Sequence, residues 1–129
     1  MRLVLDTHTL LWYVADDPKL SRRAAELLEN IENDALVSVG SLMEISIKIS
    51  TGKLSIGSPI SRFVTEKVEA IGIEILPITP PHLDVLSNLP SHHRDPFDRH
   101  VVVAQCVSED ISLLSRDEVL DRYGVERLW

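Results

Sequence analysis

Short apolar runs recur along the chain at intervals that leave room for a helix between them. They read RLVL from Arg2, ALVSV from Ala35, IEILPI from Ile73, ISLL from Ile111 and, more weakly, VERLW from Val125. Strand-sized runs that alternate with helices favour parallel βαβ units, because a parallel pair needs a long crossover connection. The pattern therefore predicts a mainly parallel sheet of about five strands.

Helix start and stop signals lie between these runs. Small hydroxyl residues are preferred as helix caps, proline is favoured in the first turn, and glycine commonly ends a helix. The signals are Ser21 before RRAAELLENI, Ser58 before PISRFVTEKVEAI with Gly72 at its end, and Thr79 before PPHLDVLSNL. Two more helices are predicted over LMEISIKIS, which stops near Gly52, and over FDRHVVVAQCV, which is apolar nearly all round and so should be covered on both sides. The predicted fold class is α/β, a three-layer α/β/α sandwich formed by residues 1–129 as a single domain.

Composition narrows the classes of function. Acidic residues outnumber basic ones 20 to 13, for a formal charge of -7, which argues against a module that holds nucleic acid mainly by neutralising phosphates. It leaves open an enzyme that meets phosphate through a metal ion. The chain has no signal-peptide core and no apolar run long enough for a membrane span, and its single Cys106 can form no intrachain disulfide. We therefore expect a soluble cytoplasmic protein, with Cys106 as a small buried hydrophobe.

Four carboxylates are predicted to meet at one edge of the sheet. Asp6 follows RLVL directly, and Asp117 stands three residues beyond the end of ISLL. Glu44 lies in the first turns of the helix after ALVSV, and Asp98 in the first turn of the helix that feeds ISLL. In open parallel sheets, ligands bind beyond the carboxyl ends of the strands. This edge is therefore the candidate functional site.

Grouping carboxylates has a cost that a cation removes. Two unit charges about 4 Å apart repel by roughly 4 kcal/mol near a protein surface. All-oxygen ligands suit Mg²⁺ or Mn²⁺, so we expect one or two of these ions to be held by Asp6, Glu44, Asp98 and Asp117. The alternative for each acid is structural: Asp6 would cap THTLLWYVA, and Asp117 would cap EVLDRYG.

Four segments, taken in order, resemble one family. They are LDTHTLLW, SLMEISIKISTGKL, HHRDPFDRHVVVAQ and LLSRDEVLDRYGVERLW. Over essentially the whole chain the sequence is similar to PIN-domain ribonucleases, specifically the VapC-type toxins of bacterial and archaeal toxin–antitoxin pairs. The resemblance implies a Mg²⁺- or Mn²⁺-dependent endoribonuclease that cleaves RNA phosphodiester bonds by metal-activated water. It also implies a cognate antitoxin as partner, and we expect a homodimer.

The family's acids fall on all four candidate positions. They correspond to Asp6 with Thr7 as its hydroxyl neighbour, Glu44, Asp98, and Asp117 with Ser115 shortly before it. One departure is His100, where relatives usually carry an apolar residue such as leucine, and this puts in doubt how that side of the helix packs.

Other polar and aromatic groups near the acids have competing interpretations. The histidines His92, His93 and His100 suggest zinc but lack a four-ligand framework, and His8 could line the cleft. Three arginines flank the acids and either bind RNA phosphates or pair with carboxylates: Arg94, Arg99 and Arg116. Four residues form either a docking patch for dimerisation or antitoxin, or part of the core: Trp12, Tyr13, Met43 and Ile47. In the DPFD segment, Asp95 is predicted as a helix N-cap, with Pro96 at the first helical position and Asp98 at the third.

Three alternative functions remain. A receiver-like signalling module shares the length and an acidic Mg²⁺ pocket, but the third predicted strand has no acid at its end. A dinucleotide-binding domain is disfavoured because the turn after the first strand, DTHT, has no glycine. A catalytically silent PIN-like scaffold is disfavoured by the intact set of four acids.

Overall fold

The predicted strands pair into a single parallel sheet. The computed structural model describes residues 1–92 and 97–129, except for the side chains of Phe97 and Asp98. In this part of the chain the strands are β1 (Arg2–Leu5), β2 (Asp34–Ser38), β3 (Glu74–Leu76), β4 (Ser112–Leu114) and β5 (Arg127–Leu128). They lie in the order β3-β2-β1-β4-β5, and each neighbouring pair is parallel. This confirms the predicted α/β sandwich with a parallel sheet.

Helices cover both faces of the sheet. Their bounds are α1 (Thr7–Val14), α2 (Arg22–Glu29), α3 (Val39–Ser50), α4 (Ile60–Phe63), α5 (Pro80–Asn88) and α6 (Phe97–Glu109). Successive strand residues point to opposite faces, so Val4 and Leu113 pack in one apolar core while Leu5 and Leu114 pack in the other. The first core is closed by α6 and the second by α1, α2 and α3.

The helix caps agree with the sequence at two of three places. Ser21 caps α2 and Thr79 caps α5. For α4 the predicted cap was wrong, because the helix is capped at Pro59 and the Ser58 hydroxyl donates to the Pro59 carbonyl.

The regular α-helix expected up to Gly72 is also shorter than predicted. Beyond Phe63 the chain continues as a π-helical turn over Val64–Val68 and a 3-10 turn over Glu69–Ile71. Thr65 bonds back to the Ser61 carbonyl, and β-branched residues in this stretch favour a regular helix weakly. Gly72 ends it with φ of 87°, a left-handed conformation that glycine adopts readily.

The order of the strands creates a crevice between β1 and β4. The chain adds β2 and then β3 on one side of β1, and then places β4 on the other side. Connections on the two sides leave the sheet in opposite directions, so a cleft opens at the carboxyl ends of β1 and β4. Asp6 follows β1 directly and Ser115 follows β4 directly. The fold therefore places these two residues side by side.

Helix α6 is buried as its sequence predicts. Its residues from Val101 to Cys106 are all buried. Burial, helped by the charge of Glu109, raises the pKa of the Cys106 thiol to about 12, so the thiol stays protonated at neutral pH. A side chain at Gly40 would place a Cβ atom 3.1 Å from Val101, so glycine permits the close approach of α3 and α6.

Among the residues that the structure describes, no helix has both the length and the apolar character that crossing a membrane requires.

Candidate active site

Asp6 is both a helix cap and a member of the crevice. As the N-cap of α1, its Oδ1 accepts a hydrogen bond of 2.9 Å from the Thr9 backbone N–H. Its Oδ2 accepts a hydrogen bond of 2.5 Å from the Ser115 hydroxyl. The prediction that Asp6 caps the helix after β1 is thus confirmed. A carboxylate has about four acceptor positions, so capping leaves capacity for another ligand.

Asp117, three residues beyond the end of β4, is likewise both a cap and a member of the crevice. Its Oδ1 accepts from the Val119 N–H at 3.1 Å and caps the 3-10 turn over Glu118–Tyr123. Its Oδ2 lies 3.4 Å from Nε of Arg99. The buried Ser115 hydroxyl accepts from the Asp117 N–H at 3.1 Å while donating to Asp6, so Ser115 links the two acids.

Glu44 reaches the crevice from α3. Its Oε2 accepts a hydrogen bond of 2.7 Å from the Thr7 hydroxyl, and its Oε1 lies 2.7 Å from Nζ of Lys48. Only 16% of the Glu44 side chain is exposed, so both partners act on a largely buried carboxylate. Glu44 lines a small cavity together with Asp6, Ser41 and Arg99. The structure therefore brings three of the predicted acids to the same edge of the sheet.

The fourth acid is placed by its backbone alone. Asp98 lies in α6 beside Arg99, whose side chain lines the small cavity. The side chain of Asp98 lies outside the described part of the structure, as do residues 93–96. The predicted roles of His93, Arg94, Asp95 and Pro96 therefore stay predictions, as does the metal-binding role of Asp98.

The donors in the crevice fit a hard divalent cation. Carboxylate and hydroxyl oxygens are the ligands that Mg²⁺ and Mn²⁺ prefer. The fully buried Ser41 hydroxyl has no hydrogen-bond partner among the described residues. The cavity that Ser41 lines has a volume of about 20 Å³, which is enough for one water molecule. Among the side chains that the structure describes, no three His, Cys, Asp or Glu groups form a metal site by themselves. The acids described here would therefore need a further ligand, for which Asp98 is the candidate.

The described histidines contact aromatic and polar neighbours. The His92 backbone N–H donates to the Tyr123 hydroxyl at 3.0 Å, and His100 Nε2 lies 2.8 Å from the same hydroxyl. Both imidazoles meet the Tyr123 ring edge-on. His100 therefore has a polar partner in the Tyr123 hydroxyl. His8 stacks on Trp12, with ring centroids 5.6 Å apart.

The proposed docking patch divides between surface and core. Met43 and Ile47, one turn apart on α3, are 41% and 53% exposed. Tyr13 packs against the core between the sheet and α2, and Trp12 lies between His8 and Trp129. Of these four residues, Met43 and Ile47 therefore form an exposed apolar pair.

Three site residues were missing from the sequence prediction. Lys48 pairs with Glu44 at a spacing of four on α3, and this spacing is a signal that the sequence carries. Ser41 carries no such signal. Arg127 donates from Nη1 to the Ser115 carbonyl at 3.0 Å and pairs with Asp121, which lowers the pKa of that carboxyl. Arg127, on the edge strand β5, thus fixes the position of the turn after β4 through the Ser115 carbonyl.

The comparisons with known proteins agree with this fold. The protein is of the open α/β class, with a parallel sheet between helices and acids at the point where the strand order reverses. The profile of the PIN domain family matches residues 3–126, and the chain therefore belongs to the PIN domain family. A comparison with curated proteins gave no match.

Solved structures share the fold at low sequence identity. VapBC2 from Rickettsia felis, bound to a DNA fragment from its promoter, is 14% identical with a TM-score of 0.70, covering 99% of this chain and 98% of that chain. FitAcB from Neisseria gonorrhoeae is 15% identical with a TM-score of 0.68, covering 98% and 96%. FitAB bound to an IR36 DNA fragment is 15% identical with a TM-score of 0.67, covering 98% and 93%. At such identities the likeness concerns the fold.

We expect the Ser115 hydroxyl to contribute to stability because it links Asp6 to Asp117. The Ser115→Ala variant should lose about 1–3 kcal/mol of unfolding free energy, since a buried bond to a carboxylate and one to a backbone N–H disappear together. Urea denaturation measures this loss. The matched control is Ser112→Ala, three residues earlier on β4, whose hydroxyl bonds to Glu126 at the surface. Equal losses in the two variants would contradict the prediction.

Proposed function

We propose that this protein is a metal-dependent endoribonuclease. PIN domains are generally nucleases, and this chain belongs to that family. The observation that carries the proposal is the joint placement of Asp6, Glu44 and Asp117 at the switch point, with Thr7 and Ser115 bonded to them. A catalytically silent scaffold could use Asp6 and Asp117 as caps, but it would not need Glu44 beside them. The receiver-like alternative loses support, since β3 ends at Leu76 with no acid at its end.

The candidate ligands for Mg²⁺ or Mn²⁺ are Asp6, Glu44, Asp98 and Asp117, bound directly or through water. When bound, such a cation neutralises charge at the phosphate and lowers the pKa of a water molecule. Without a cation, the acids would repel an approaching phosphodiester. The ion pairs of Lys48 with Glu44 and Arg99 with Asp117 offset part of the repulsion among the acids themselves.

The protein's own residues orient the reacting groups. Asp6 is held by one donor on each oxygen, so its carboxylate direction is set before substrate binds. Arg99 and Arg116 lie beside the acids, where guanidinium groups can bind phosphate oxygens of the substrate. Hydrolysis in this arrangement would leave 5′-phosphate and 3′-hydroxyl ends.

We further propose that the enzyme is the toxin of a VapC-type toxin–antitoxin pair and acts as a homodimer in the cytoplasm. The support is the fold shared with VapBC2 and FitAB, both solved with DNA fragments. The exposed pair of Met43 and Ile47 on α3 offers an apolar contact for a second copy.

Cleavage of single-stranded RNA should require Mn²⁺ or Mg²⁺ and should stop in chelator. Mutation of a residue that hydrogen-bonds to a metal ligand typically lowers activity about 10–100-fold. Because Asp6 and Asp98 are proposed as the ligands themselves, Asp6→Asn and Asp98→Asn should each lower activity more than about a hundredfold. A gel assay of a labelled RNA measures both effects. The control is Asp34→Asn, an exposed acid at the amino end of β2. Equal cleavage in chelator, or full activity of Asp6→Asn, would refute the ribonuclease proposal.

Divalent cations should stabilise the fold, because a ligand that binds only the folded state raises its stability. At a hundredfold excess of Mn²⁺ over its dissociation constant the gain is about 2.7 kcal/mol, which thermal denaturation detects. The Asp6→Asn variant should show a much smaller shift in Tm, and Asp34→Asn the full shift. Identical shifts in all three proteins would place the cation elsewhere.

The antitoxin proposal predicts a partner encoded beside this gene. A short neighbouring reading frame, whose product carries a DNA-binding start and an arginine-bearing tail, should bind this protein and abolish RNA cleavage at equimolar concentration. Arginine would pair with the acids of the crevice. Cleavage that persists at saturating partner, while the two proteins co-elute, would contradict inhibition at the active site.

A further inference from the structure

Beside the acids lies a groove whose aromatic residues the catalytic proposal does not use. It measures about 620 Å³, within the range of small-molecule sites, and shares Asp6, Arg99 and Asp117 with the candidate active site. Its other walls include His8, Trp12 and Trp129. The chain has two tryptophans, and both line this groove. We define the aromatic wall as His8, Trp12 and Trp129.

The aromatic wall is built by local geometry and by the sheet. His8 and Trp12 are four residues apart on α1, and their rings stack with an interplanar angle of 13°. Trp129 directly follows β5, so the parallel sheet brings it to the edge where Asp6 follows β1. The ring centroids of Trp129 and Trp12 are 5.9 Å apart, and the angle between the ring planes is 60°. His8 is exposed, so its outer face is open to a further ring.

The lining of the groove also includes three arginines, Arg99, Arg116 and Arg127, and three acids, Asp6, Asp117 and Glu118. Arg116 is exposed and makes no ion pair with any side chain that the structure describes, while Arg127 is held against Asp121 and the Ser115 carbonyl. In a chain of charge -7, this lining has equal numbers of arginines and acids, so it is less negative than the chain as a whole. Stacked rings with nearby arginines are the combination that binds single-stranded nucleic acid, because each base offers a flat face and each linkage a phosphate.

We propose that the groove is a nucleobase subsite, in which a base of single-stranded RNA next to the scissile linkage stacks on the aromatic wall while Arg116 binds the neighbouring phosphate. The subsite rests on the proposed ribonuclease function and adds a positioning role to it. Stacking anchors the strand at a fixed distance from Asp6, so the linkage presented to the acids is set by the bound base. Duplex RNA, whose bases are already stacked, would be excluded from the wall.

The tryptophans report on this subsite directly. Titration of the wild-type protein with a short single-stranded RNA, in chelator to prevent cleavage, should quench its tryptophan fluorescence. An abasic oligonucleotide of equal length and charge should bind about tenfold more weakly, because base stacking is lost. In Trp129→Leu the remaining quenching belongs to Trp12. Equal affinities for the two oligonucleotides, or no quenching at any concentration reached, would overturn the subsite.

Variants separate stacking from general binding. Trp12→Leu should raise KM for RNA cleavage about tenfold while Trp12→Phe, which keeps an aromatic face, should restore most of the loss. The matched control is Tyr13→Leu, the next residue of α1, which lines a different cavity beside α2. Equal KM values for Trp12→Leu and Tyr13→Leu, in an enzyme that cleaves RNA, would refute the subsite and leave the ribonuclease proposal intact. Base-dependent quenching without any metal-dependent cleavage would refute the ribonuclease proposal and leave only base binding by the aromatic wall.

Discussion

The parallel pairing of β1 with β4 is the constraint on which the candidate site depends. Leu5 is in register with Leu114, and the Leu114 carbonyl accepts from both the Asp6 N–H and the Thr9 hydroxyl. These bonds carry the pairing past the end of β1 into the first turn of α1. Ser115, the first residue after β4, therefore meets the Asp6 carboxylate. Without this register the acids after the two strands would not share a crevice.

The acids of the crevice serve stability and chemistry with different oxygens. Asp6 and Asp117 each use one oxygen to cap a helical turn and keep the other near a neighbouring side chain, Ser115 or Arg99. Capping by a carboxylate is worth about 1 kcal/mol, which offsets part of the cost of placing like charges together. The structural and functional interpretations of these residues are therefore complementary, and identifying a cap does not argue against a metal ligand.

A net negative charge and an RNA substrate are compatible because charge is distributed unevenly. The chain carries -7, yet arginines gather with the aromatic wall along one groove beside the acids. Exposed charges further apart than a Debye length, about 8 Å at physiological salt, are largely screened from one another. A phosphate in this groove would respond to its arginines and to any cation among the acids more than to the overall charge.

The sequence by itself determined the elements, the fold class and the family, because hydrophobic period, caps and the ordered motifs are local signals. It also placed Asp6 and Asp117 correctly, since strand-end position follows from where an apolar run stops. It failed at Ser58 and in the irregular helix before Gly72, where side chain to backbone bonds compete with regular structure. The tertiary structure alone decided that β4 lies beside β1, that Ser41 and Arg127 belong to the site, and that Trp12 meets Trp129. Those contacts join residues far apart in the chain, and only packing of the folded sheet sets their distances.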